Sequence, residues 1–114
     1  MRDNQVMSDQ FLAIIYQNIE NDLDNENFSV EDLAHKVFLS RSTLHRKLIK
    51  LTGKSASELI TEKRLFRAKE FLENNVATAS EIAYKVGFNS PSYLAKYLKI
   101  TFKYLPEMSE RVLQ

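Results

Sequence analysis

The chain of 114 residues carries 16 Lys+Arg against 15 Asp+Glu, with 44% hydrophobic and 27% charged side chains, an ordinary globular composition with room for one domain or two very small ones sharing a core. It has no cysteine, only two histidines (His35, His45) and only two glycines (Gly53, Gly87), which argues against thiol nucleophiles, metal sites and phosphate-cradling loops. The expectation is a non-enzyme without cofactor or metal; no apolar run approaches the roughly 20 residues of a membrane span and Met1 to Gln10 lack a signal-peptide layout, so a cytoplasmic location follows.

The near-zero net charge hides a segregation. Residues 1 to 35 hold one base, Arg2, and eight acids (net −7), whereas the remainder holds fifteen bases and seven acids (net +8). Such a field can bring a polyanion to one face; uneven but merely solvated helix surfaces are the competing reading.

In chain order, Phe11, Leu12, Ile15, Tyr16, Ile19 and Leu23 recur at three- and four-residue spacing and predict a first amphipathic helix from near Ser8 to about Asp22. Leu23 to Asn27 reads as a loop. Ser29 can cap a second helix, with Asp32 three residues on and Phe28 placed to staple onto Leu33. This helix is short, carrying Val30, Leu33, Ala34 and Val37, and after Phe38-Leu39 a new cap, Ser40, opens a helix with Leu44, Leu48 and Leu51 on its core side. Two helices across a turn of about three residues make a helix-turn-helix. Gly53 can end the second of them in the left-handed conformation. Ser55 and Glu58 then open a long helix to about Glu73, with Leu59, Ile60, Leu65, Phe66, Ala68, Phe71 and Leu72 on its buried side and a length on the order of 27 Å. Asn74 and Asn75 end it.

The segment from Ser29 to Pro106 contains an internal repeat. An offset of 49 residues places Thr78, Glu81, Ile82, Ala83 and Val86 under Ser29, Asp32, Leu33, Ala34 and Val37; past the turn the offset is 50, placing Ser90, Leu94, Lys96, Leu98 and Pro106 under Ser40, Leu44, Arg46, Leu48 and Ala56. The second turn, Gly87-Phe88-Asn89, is one residue longer, and Pro91 falls at the first helical position, where its missing N–H costs nothing. Two copies are too few for a solenoid. The predicted architecture is all-α: two helix-turn-helix subdomains joined by a long linker helix.

With the leucines inward, the first unit's second helix turns out Arg41, Ser42, His45 and Arg46, then Lys47, Ile49 and Lys50, and no acid occurs from Arg41 to Lys54. The corresponding helix of the second unit turns out Pro91, Ser92, Tyr93, Lys96 and Lys99, with no acid from Ser90 to Leu105. An acid-free basic helix suits a phosphate-lined groove, where Lys and Arg displace condensed counterions. Arg46 can fork onto a guanine edge, or touch phosphate alone. His45 is a base reader or a neutral surface residue, and Tyr93 either meets a thymine methyl or packs under the turn. Lys47, Lys50 and Lys99 read as phosphate contacts or solvated charges.

The first unit (Phe28 to Ala34 and Leu39 to Lys47), the segment Arg64-Leu65-Phe66-Arg67-Ala68-Lys69 and the run Glu81 to Phe88 together resemble the AraC/XylS family of transcription regulators over about Phe28 to Pro106. The resemblance implies about seven helices: an N-terminal helix and acidic loop (1–27), a first helix-turn-helix (28–54), a linker helix (55–75) and a second helix-turn-helix with a C-terminal helix (76–114). It implies a sequence-specific DNA-binding domain of a bacterial regulator that sets two recognition helices into successive major grooves of double-stranded DNA. Its base readers correspond to Ser42, His45 and Arg46, and to Pro91, Ser92, Tyr93 and Lys96. An upstream sensor or receiver domain and RNA polymerase are the implied partners. The rival from another class is a basic protein-interaction module that binds an acidic partner without reading DNA.

Some positions depart from the family pattern. Phe38 stands where glycine is common, and the shorter turn is expected not to need a positive φ there. Ala56 replaces the usual proline, Lys103-Tyr104-Leu105 replaces Gly-x-Ser/Thr with a looser exit expected, and Ser109 replaces an aromatic.

Overall fold

The computed structural model describes residues 2–75, 77–88 and 90–102. They form six helices in the order α1 (Arg2–Asn21), α2 (Val30–Lys36), α3 (Arg41–Thr52), α4 (Ala56–Glu73), α5 (Ala79–Lys85) and α6 (Pro91–Phe102), with no strand among the described residues. The expectations for Lys103 to Leu105, Pro106, Ser109 and a C-terminal seventh helix lie outside the described residues.

The chain divides into two compact units. One joins the part before Leu23 to Phe28–Ile60; the other joins Leu23–Asn27 to the described part of Thr61–Gln114. In the first, α1 packs on α2 and α2 on α3, and Ile15, Ile19, Leu33, Leu44 and Leu48 are fully buried. In the second, α5 packs on α6 around Ile82, Val86, Leu94 and Leu98, with Leu65, Ala68 and Leu72 of α4 closing the same core.

Local chemistry sets the helix starts. The Ser29 hydroxyl accepts from the Asp32 amide (3.1 Å) and the Asp32 carboxylate accepts from the Ser29 amide (3.0 Å), a complete capping box. Hydrogen bonding to the Ser29 amide, and after it to the Ser29 hydroxyl, holds the Asp32 carboxyl below the usual carboxylate range. Ser40, Thr78 and Ser90 each accept from the amide three residues on, at 3.2 Å in every case.

Both inter-helix turns use one device. After α2, the Leu39 amide reaches back to the Ala34 carbonyl (3.0 Å) and the Phe38 amide to that of His35 (3.2 Å); after α5, Phe88 reaches Ala83 (2.8 Å) and Gly87 reaches Tyr84 (3.2 Å). This paired pattern closes a helix only if the residue between takes a left-handed conformation. Gly87 does so at φ 87, and so does Phe38 at φ 58, a residue 94% exposed. The expectation that the shorter turn spares Phe38 a positive φ is therefore corrected, because the turn repeats the closure and the extra residue of the second copy falls after it. A left-handed φ costs a side-chain-bearing residue about 1–2 kcal/mol, part of which glycine's larger unfolded-state freedom offsets. Phe38→Gly should accordingly stabilise the domain by about 0.5–1 kcal/mol in urea melts; a lowered midpoint would show that the exposed ring stabilises the fold.

Three further expectations are corrected. α1 starts six residues before Ser8, carried by local propensity and by i,i+4 bonds such as Gln5 to Asp9 (3.0 Å) where no core contact marks the pattern. Leu23 lies, as expected, in the loop after α1, where it is buried and belongs to the second unit. Leu51 is 36% exposed, because Leu44 and Leu48 carry the core line of α3 and the half-buried Thr52 closes its last turn with a hydroxyl bond to the Leu48 carbonyl (2.8 Å). Phe66 is 47% exposed, because Leu65, Ala68 and Leu72 are the buried line of α4 and Phe66 lies one step round from it.

Candidate nucleic-acid interface

In the first unit, burial of Leu44 and Leu48 fixes the rotation of α3, so that Arg41, Ser42, His45, Arg46, Lys47 and Lys50 are all exposed. Four of them meet: Arg41, Ser42, His45 and Arg46 line one depression of about 760 Å³, together with Val30, Ser40 and the start of α4 at Ser55, Ala56 and Ser57. The Arg46 guanidinium donates to the Thr43 hydroxyl one turn back (3.3 Å), which steadies its stem while leaving most of its fork outward. Arg41 donates to the Glu31 carboxylate of α2 at 3.2 Å. The structure does not gather Lys47 and Lys50 into this depression. The Lys47 ammonium sits over the Phe11 ring of α1, 5.2 Å from its centroid, and Lys50 lies exposed in the last turn of α3.

In the second unit, α6 leaves Ser92, Lys96 and Lys99 exposed and Pro91 half-buried at its first position. The Tyr93 ring packs on Tyr97 (centroids 5.5 Å apart), which lies 6.3 Å from Phe88, and Tyr93 remains 56% exposed. Lys96 occupies on α6 the place that Arg46 occupies on α3, as the repeat requires.

Periodicity gave no hint of Arg64. Its guanidinium donates to the Asn25 carbonyl (2.8 Å), and its Nε is buried without a hydrogen-bond partner against Gly87. Burial lowers its pKa below the ordinary guanidinium value, although it stays cationic. Arg64 thus ties the loop Leu23–Asn27 to the turn that aims α6, a structural role beside the exposed cations. The Arg41–Glu31 pair was also missed; its only sequence signal is a pair of opposite charges flanking the turn.

Two helix-turn-helix units in one chain, each exposing an acid-free basic helix, define a tandem DNA-recognition domain. The helix-turn-helix domain family matches residues 33–111, and the chain belongs to that family, in its AraC/XylS type. It is similar to a histidine kinase P4 of Formosa agariphila (35% identity over 100 residues, 88% of this chain and 7% of that protein). It is also similar to an HTH-type transcriptional regulator in the cgkA 5′ region of Pseudoalteromonas carrageenovora (34% over 99 residues, 87% and 57%). Among solved structures, the C-terminal domain of the two-component response regulator YesN from Fusobacterium nucleatum superposes with a TM-score of 0.77 at 25% identity, covering 88% of this chain and 97% of that one. The chain thus spans 7% and 57% of the lengths of these two curated relatives. None of the described helices is long and apolar enough to cross a membrane.

Proposed function

We propose that this domain is the sequence-reading output module of a bacterial transcription regulator in the cytoplasm, laying α3 and α6 into successive major grooves of one DNA duplex. Residues 28–54 and 76–114 are the two reading segments, and 55–75 join them. The observation that carries the reading is that α3 and α6 each turn out an acid-free basic face, with Arg46 and Lys96 at equivalent places in the repeat. Ser42, His45 and Arg46, and Pro91, Ser92, Tyr93 and Lys96, face bases; Arg41, Lys47, Lys50 and Lys99 face phosphate. The regulator similarity and the likeness to a response-regulator C-terminal domain support a longer protein in which an upstream sensor or receiver domain commands this module and RNA polymerase receives its output. The histidine kinase name of one relative carries no kinase activity over to this chain, which matches only 7% of that protein.

The test is selection of bound sequences from a random duplex library, followed by salt titration on the selected site and on random duplex. A specific-to-random ratio of about a thousand or more is expected, with a steep loss of affinity as salt rises. Equal affinity for both duplexes would favour a basic module that binds an acidic partner instead. Arg46→Ala and Lys96→Ala should each weaken binding to the selected site by about 1–3 kcal/mol. Unchanged binding in both, with the fold intact, would move the interface elsewhere.

A further inference from the structure

Arg41 is the one cation of the first recognition helix whose described partner is an acid. Its guanidinium lies 3.2 Å from Glu31, with the two side chains 67% and 74% exposed. Neighbouring acids of the unit serve their own helix starts: Asp32 accepts from the Ser29 amide and Glu58 from the Ser55 hydroxyl. Glu31 is different. It sits in the first turn of α2, where the helix dipole favours a negative charge, yet reaches across the turn to α3.

We propose that Glu31 is an electrostatic restraint on Arg41, which holds down the affinity of the first unit for DNA phosphate and so preserves its preference for sequence. The inference rests on the DNA-facing reading of α3. Arg41 lines the depression that also holds Ser42, His45 and Arg46, so an approaching phosphate must draw Arg41 away from Glu31 and then tolerate the carboxylate beside it. An exposed pair of this kind is weak enough for a phosphate to displace. It nevertheless cancels one cation of the face, which lowers counterion release by about one ion. The device is confined to the first unit. The positions equivalent to Glu31 and Arg41 in the repeat are Ser80 and Pro91, neither charged.

Glu31→Gln removes the carboxylate and keeps the side-chain shape. At low salt it should bind both random duplex and the selected site about two- to fivefold more tightly, with the log–log salt dependence steeper by up to about 0.9. Because random binding consists almost wholly of phosphate contacts, the gain on random duplex should be the larger one, and the specific-to-random ratio should fall. In an Arg41→Ala background the gain should shrink to the small part due to the carboxylate's own repulsion of phosphate. Misfolding cannot mimic this result, since it loses affinity. Unchanged affinity and slope, an equal gain without Arg41, or a gain confined to the selected site would overturn the restraint. If Arg46→Ala weakens binding while Glu31→Gln does nothing, the restraint fails and the DNA-facing reading stands; if Arg46→Ala and Lys96→Ala are both silent, that reading fails first.

Discussion

Gly87→Ala is expected to lower the stability of the second unit by about 3 kcal/mol or more, from backbone strain and overpacking together. A Cβ on Gly87 would lie 2.5 Å from the Leu23 carbonyl oxygen and 2.7 Å from Arg64 Nε, in a residue at φ +87. The carbonyl is main chain and cannot turn aside. Arg64 is longer and more flexible, but its guanidinium is bonded to the Asn25 carbonyl, so moving it would give up that bond as well. Gly53 supplies the control: it is left-handed too, at φ +76, but has nothing within 4 Å of an added Cβ. Gly53→Ala should therefore show the conformational cost alone, on the order of 1 kcal/mol. Urea melts of the two variants separate the contributions. If Gly87→Ala costs no more than Gly53→Ala, the loop does not press on that turn as described.

Leu44→Ala and Leu94→Ala form the second large pair. Both leucines are fully buried and hold equivalent positions of the repeat, so each truncation should cost about 2–5 kcal/mol through lost burial and the cavity left behind. The expected difference lies in where protection is lost. Amide exchange should accelerate in α2 and α3 for Leu44→Ala and in α5 and α6 for Leu94→Ala, because each leucine belongs to the core of one compact unit. Uniform loss of protection across all helices in both variants would mean that the units melt as one, and that α4 couples them fully.

Most of the helical frame was legible because its causes are local. The spacing of Leu33, Ala34, Leu44 and Leu48, and of Ile82, Ala83, Leu94 and Leu98, reflects a helix turning one face to a core, and all of these residues are buried. Caps act over three residues, so Ser29, Ser40, Thr78 and Ser90 could be recognised without any knowledge of what lies across the core. The start of α1 was misjudged for the complementary reason: an exposed stretch holds its helix by propensity and leaves no apolar pattern. Periodicity also set the rotation of α3 and α6, and with it which cations face outward. It did not distinguish Arg46, which stands in the depression beside His45, from Lys47, which lies over Phe11.

The sequence by itself determined an all-helical chain with two helix-turn-helix copies, the caps that start most of their helices and an acid-free outward face on each second helix; these follow from interactions within about one helical turn. Tertiary structure alone decided that Leu23–Asn27 joins the second unit, that Arg64 pins Asn25 across 39 positions of chain, that Gly87 has no room for a Cβ and that Glu31 pairs with Arg41. Each of these depends on groups that meet only after separate segments pack, at distances of a few ångströms that no periodicity encodes. Phe38 shows both causes at once: its turn is repeated from the second copy, but only the observed hydrogen bonds of that turn place a phenylalanine where the chain must run left-handed.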